Sequence, residues 1–126
     1  MTRPNYSKAK PNNRQAGKEG EERALMYLSS QGFIPVATNY MPSSSCEADI
    51  IAYDRGTLVG VEVKSLQRLS WDEEDIAKRV NLRKRNKVKR ATYSFATKSL
   101  VPFTSLRLDV VSLTKGKIVH YKGVES

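Results

Sequence analysis

Asp49, Glu62 and Lys64 are the residues whose types and spacing could do chemistry in this 126-residue chain. They lie in one stretch, 47–64, which reads Glu-Ala-Asp-Ile-Ile-Ala-Tyr, Asp-Arg-Gly-Thr, Leu-Val-Gly-Val-Glu-Val-Lys. The pattern predicts two short strands joined by a tight turn, with Gly56 free to take a positive φ. If Arg55-Gly56 is the loop, Asp54 pairs with Thr57, Asp49 falls opposite Glu62, and Glu47 falls opposite Lys64. Two acids facing each other on otherwise apolar strands repel, and a cation would relieve the repulsion. A hard divalent ion such as Mg²⁺, held by one or two carboxylates plus water and phosphate oxygens, has the right chemistry. Alternation puts Val61 and Val63 on one face and Glu62 and Lys64 on the other. Lys64 could therefore steady the carboxylates, position an attacking water or stabilise charge developing on a phosphate. Taken by itself, the stretch fits a solvated sheet face with chance charge pairs equally well.

The flanking elements must position these groups. Residues 17–30 read as a helix with Ala24, Leu25 and Leu28 on one apolar stripe and Gly32 as its stop signal. Glu21 falls on that same stripe. There it serves either as a first-turn acid favoured by the helix dipole or as a group needing a cation. Phe33–Tyr40 reads as a strand, with Pro35 marking an edge or an irregular position, and Met41–Ser45 as a polar loop. Cys46 reads as a small semi-buried residue and not a nucleophile. Ser70-Trp71-Asp72-Glu73 is a capping box, and a helical region follows from about Trp71 to Lys98. Its apolar period runs through Ile76, Val80, Val88, Ala91 and Phe95. A second hairpin turns at Lys115-Gly116, with Leu106–Leu113 and Lys117–Lys122 as its arms. His120 reads as a surface or sheet histidine.

Charge bounds the partners. Twenty-two basic against thirteen acidic residues give a formal net charge of +9, which favours an anionic partner, nucleic acid first. From Lys78 to Lys98 there are nine Lys or Arg and no acid. Arg79, Arg83, Lys84, Lys87 and Arg90 are the candidate backbone contacts. A merely solvated helix face usually mixes both signs. The single Cys46 excludes an intramolecular disulfide and fits a reducing compartment, and no Cys/His cluster offers a zinc site. No apolar run is long enough to span a bilayer, and no signal-peptide core is evident. A soluble, cytoplasmic protein without membrane contact is the expectation. Residues 1–15, with Pro4 and Pro11, read as a flexible basic arm ahead of a single domain at 16–126.

The motifs in order are Gly17-x-x-Gly20-Glu21-x-x-Ala24-x-x-Tyr27-Leu28, Asn39-Tyr40, Glu47-x-Asp49-x-Ile51-Ala52, Val61-Glu62-Val63-Lys64 and Arg107-Leu108-Asp109-Val110-Val111. Together, over roughly residues 17–122, this line resembles the bacterial UPF0102 (YraN-like) family. That family looks like a branch of the restriction-endonuclease-like PD-(D/E)XK superfamily and is similar to archaeal Holliday-junction resolvases. The resemblance implies an α/β fold with a mixed central sheet of about five strands flanked by helices. It implies Asp49 and Glu62 as metal ligands with the Val63 carbonyl as a third, Lys64 as catalytic lysine, and Glu21 as the additional acid of the resolvase-like branches. Glu47 matches a family acid, for which pairing with Lys64 is the expectation. Cys46 and Ala48 stand where many members carry Gly and Ile, and Leu66 where they often carry Arg.

The expected function is a metal-dependent nuclease, using Mg²⁺ or Mn²⁺, that hydrolyses phosphodiester bonds in DNA, branched or junction DNA included. Resolvases act as dimers, so the analogy extends to a homodimer. The alternatives are a non-catalytic nucleic-acid-binding module on the same fold, and a factor whose basic face meets an acidic protein.

Overall fold

The computed structural model describes residues 13–65, 82–114 and 116–124. Among these residues, two helices and five strands follow in the order α1 (Asn13–Ser30), β1 (Ile34–Ser43), β2 (Cys46–Asp54), β3 (Thr57–Ser65), α2 (Leu82–Ser99), β4 (Ser105–Thr114) and β5 (Lys117–Tyr121). The strands form one open sheet in the order β1-β2-β3-β4-β5. Only β3 and β4 run parallel; the other neighbours are antiparallel. The expected mixed α/β architecture is present, with a five-stranded sheet flanked by helices, and it is consistent with an endonuclease-like fold.

Local sequence explains most of the elements. The α1 stripe buries Ala24 and Leu28 against the sheet. Gly32, at φ 92°, ends the helix. The Phe33 amide donates to the Leu28 carbonyl at 3.0 Å, and the Gly32 amide donates to that of Ser29 at 3.1 Å. This double bond pattern, with Leu28 and Phe33 in one apolar cluster, is the left-handed stop that glycine permits. Arg55 and Gly56 both have positive φ, 54° and 87°, so the hairpin turns with the twist that suits its strands. Its register is the expected one, from Asp54↔Thr57 to Ile50↔Val61.

The sheet is covered on both faces. Ile50, Ala52, Val59, Val61 and Val111 pack with α1, while Ile51, Leu58 and Leu108 pack with Val88, Ala91 and Ala96 of α2. Strands buried on both sides read as near-continuous apolar runs, as β2 and β3 do. Burying each of the Val, Leu and Ile side chains among them contributes about 1.5–3 kcal/mol. Gly60 sets how closely α2 approaches. A β-carbon there would collide with the Thr92 hydroxyl and lie 3.0 Å from Val88 Cγ1.

Two boundaries differ from the sequence reading. The helix α1 begins at Asn13, so the last residues of the 1–15 arm are helical. The strand β1 runs on to Ser43, leaving Ser44-Ser45 as the turn where a loop from Met41 was expected. Pairing with β2, as in Tyr40↔Ala48 and Ser43↔Cys46, overrides the polar composition, and a register shift between those pairs accommodates it. β1 is an edge strand, as Pro35 implies. The capping box at Ser70–Glu73 and the apolar positions Ile76 and Val80 lie outside the described residues, as does Arg79. Among the described residues no helix is long and apolar enough to cross a membrane.

Candidate metal centre and nucleic-acid interface

Asn39, Asp49 and Glu62 form a line across three adjacent strands. The pairs Thr38↔Ile50 and Tyr40↔Ala48 place Asn39 beside Asp49. Just beyond Ile50↔Val61, the side chains of Asp49 and Glu62 come together. At this point the hairpin stops behaving as a plain ladder. Asp49 Oδ2 accepts the Val63 amide at 2.8 Å, so a side chain takes a donor that a strand partner would otherwise use. The backbone register ends at Ile50↔Val61, and the expected cross-strand partnership of Glu47 with Lys64 is not made. Lys64 is half-buried, with Ser112 of β4 as its neighbour, and among the described residues it makes no ion pair.

The carboxylates are held under tension. Glu62 is buried, and among the described residues its Oε1 has no hydrogen-bond partner. Burial, then the charge of Asp49, pushes the Glu62 carboxyl up to about 7. Burial also raises Asp49, outweighing the Val63 amide and the charge of Lys84. The two acids are close enough to share a hydrogen bond when one is protonated. A shared proton or a cation would satisfy the atom that no donor reaches.

Glu21 reaches the same region from α1. Asn39 Nδ2 donates to Glu21 Oε1 at 2.8 Å, and partial burial, opposed by that bond, raises the Glu21 carboxyl, with the charge of Asp49 adding to the rise. Its place on the apolar stripe is thus met by a polar partner, Asn39, at the edge of the sheet. Glu21, Asn39, Glu47 and Asp49 line one cleft of about 630 Å³. Asn39 takes φ 49°, a conformation asparagine tolerates better than most residues. Sequence reasoning had Asn39 in a motif without a role, and nothing local in the sequence connects it to Glu21.

On the opposite side, α2 delivers a cation. Lys84 Nζ lies 3.3 Å from Glu62 Oε2, with side-chain exposures of 45% and 5%. Burial alone would lower the lysine, but Glu62, Asp49 and Glu47 together raise it. Lys84, expected to contact a phosphate backbone, therefore stands within the carboxylate group. Lys87 and Arg90 instead line a second cleft of about 480 Å³ with Ser44, Ser45 and Asn86, between the β1–β2 turn and α2. Arg83 belongs to α2, but its side chain lies outside the described residues.

The described residues bring together Asp49, Glu62 and, across the cleft, Glu21. Among them no group of three or more His, Cys, Asp or Glu converges as a ready metal site. A divalent ion fits on narrower grounds. Two mutually repelling carboxylates, one with an orphaned oxygen, are donors of the type that hard cations take.

A second polar assembly lies away from this site. Asp109, fully buried, accepts from Arg107 Nε at 2.8 Å and the Gly123 amide at 3.0 Å, and pairs with His120 Nε2 at 2.8 Å. Arg107 also reaches Asp54 at 2.8 Å, and Tyr27 Oη meets His120 Nδ1 at 3.0 Å. The sheet histidine is thus tied into the core, not a surface residue. Cys46 is half-buried, as expected.

The Uncharacterised protein family UPF0102 matches residues 20–113 of the chain. Among similar proteins, a UPF0102 protein of Dictyoglomus turgidum is 32% identical over 114 residues, covering 88% of this chain and 94% of its own. One from Pseudothermotoga lettingae is 35% identical over 108 residues, covering 86% and 96%. One from Kosmotoga olearia is 38% identical over 109 residues, covering 86% and 90%. The matched span takes in Glu21, Asn39, Asp49, Glu62 and Lys84, and the chain belongs to the UPF0102 family.

Proposed function

We propose that this protein is a metal-dependent nuclease of the PD-(D/E)XK type, hydrolysing phosphodiester bonds in DNA. The observation that carries the reading is the Asp49–Glu62 pair, strained by mutual repulsion and left with an orphaned Glu62 oxygen. Asp49 and Glu62 would hold Mg²⁺ or Mn²⁺, with Glu21 and the Val63 carbonyl as further ligands. When bound, such an ion supplies water activation and neutralises charge on the phosphate. Lys64 orients the attacking water or stabilises phosphate charge. Asn39 holds Glu21 in place. Lys87 and Arg90 bind phosphates beside the site. A cytoplasmic location fits the lone Cys46.

A binding module without turnover is the second reading. It is favoured by Lys84, which already partly neutralises Glu62. One experiment separates the two. Labelled linear, nicked, flapped and four-way-junction DNA is incubated with the protein in Mg²⁺, Mn²⁺ or EDTA, beside Asp49→Ala and Lys64→Ala. The nuclease reading expects metal-dependent cuts that disappear in both variants. Salt-sensitive binding without cutting, unchanged by Asp49→Ala, would establish the module instead. In either case, replacing both Lys87 and Arg90 by alanine should reduce the salt slope of binding by about 2, at about 0.9 per phosphate contact.

A further inference from the structure

We propose that Lys84 is the exchangeable counter-ion of the candidate metal centre, competing with a divalent cation for the Glu62 carboxylate. The proposal rests on the metal-dependent reading above. It goes beyond the acids and Lys64 by giving the basic helix a part inside the site.

The position is built by the packing. Gly60 is the point where α2 touches β3, through Val88 and Thr92. Glu62 lies two residues beyond Gly60 on the same face of the strand, an advance of about 6.6 Å. Lys84 lies one turn before Val88 on α2, a rise of about 6 Å. The two steps match, so the contact that seats the helix also brings the lysine over the acid. The pair is the result, at 3.3 Å. Lys84, Val88 and Thr92 share one helix face at i, i+4 and i+8.

The contact is also suited to exchange. Glu62 is almost fully enclosed, whereas the lysine is nearly half exposed. Its flexible stem can withdraw to water without breaking the core. Lys84 holds Glu62 Oε2 while Oε1 has no partner among the described residues, so one positive charge meets a group that includes Asp49 and Glu47. A divalent ion brings the second charge, but it meets repulsion from the ammonium for as long as Lys84 stays.

The test is calorimetric titration of Mn²⁺ into the full chain without DNA. Wild type is compared with Lys84→Gln, with Lys84→Arg to keep the charge, and with Lys98→Gln to remove the same charge at the far end of α2. Lys84→Gln should bind Mn²⁺ about fivefold more tightly, the factor that about 1 kcal/mol represents for a half-exposed ion pair. Lys84→Arg and Lys98→Gln should stay within about twofold of wild type. Equal or weaker binding by Lys84→Gln, with wild type binding normally, would overturn this role and leave the metal reading standing. An equal gain in Lys98→Gln would also overturn it, since net charge alone would account for the effect. No Mn²⁺ binding by either wild type or Lys84→Gln would overturn both.

Discussion

Replacing Gly60 by alanine tests whether the close seat of α2 organises the protein. The added β-carbon would collide with the Thr92 hydroxyl and would lie 3.0 Å from Val88 Cγ1 and 3.3 Å from Thr92 Cβ. Thr92 is held in place, because its hydroxyl donates to the Val88 carbonyl at 2.8 Å within the helix. The methyl has no room unless α2 lifts from β3. Overpacking of this kind costs about 1–3 kcal/mol. For a domain of this size, about 1 kcal/mol moves Tm by about 4 °C, so the fall should be about 4–12 °C. Thermal and urea unfolding followed by circular dichroism would measure it. The double variant Gly60→Ala/Thr92→Ala supplies the decisive comparison. With the hydroxyl and methyl gone, it should be more stable than the sum of the single changes by at least about 1 kcal/mol. An unchanged Tm in Gly60→Ala, or strictly additive losses in the double variant, would refute the account of how the helix is seated.

Two further outcomes follow from the buried acids. In the metal-free protein, Glu62 in the native state keeps its proton up to about 7, whereas an unfolded glutamate loses it near 4.5. The stability that Glu62 contributes should therefore be fully present below pH 4.5 and fall by up to about 3 kcal/mol as pH rises to about 7. Glu62→Gln should flatten that part of a Tm-against-pH profile, and a slope unaffected by the change would contradict the assignment. Asp109 behaves in the opposite sense. Burial pushes its carboxyl up, but bonds from His120, Arg107 and the Gly123 amide outweigh this and hold it below 3.8. Its contribution is present above that value and is lost as pH falls through the lowered native value. Asp109→Ala should cost about 3–5 kcal/mol in urea unfolding at neutral pH, because Arg107 and His120 lose their shared acceptor. A loss under about 1 kcal/mol would mean that the network is dispensable.

The parts legible in the sequence are those set by near neighbours along the chain. Arg55-Gly56 specifies a tight hairpin, and alternation then puts Asp49 beside Glu62 without any knowledge of the rest of the protein. Gly32 stops α1, and the stripe of Ala24, Leu25 and Leu28 states which side of the helix is buried. The oddity of Glu21 on that stripe was visible too, although not its reason.

Only the tertiary structure decided what those groups meet. Asn39 holds Glu21 from a strand eighteen residues away, and Arg107 reaches back fifty-three residues to Asp54. Periodicity carries no information about such distant partners. Lys84 looked like one more phosphate contact in a basic run, because charge composition does not tell which turn of a helix lies over an acid. That depends on where α2 lands on β3, and the landing depends on the missing side chain of Gly60. Sequence determined the strands, the turn and the paired acids. Packing decided that a lysine from the basic helix completes the pair, because helix–sheet register is fixed by contacts between residues far apart in the chain.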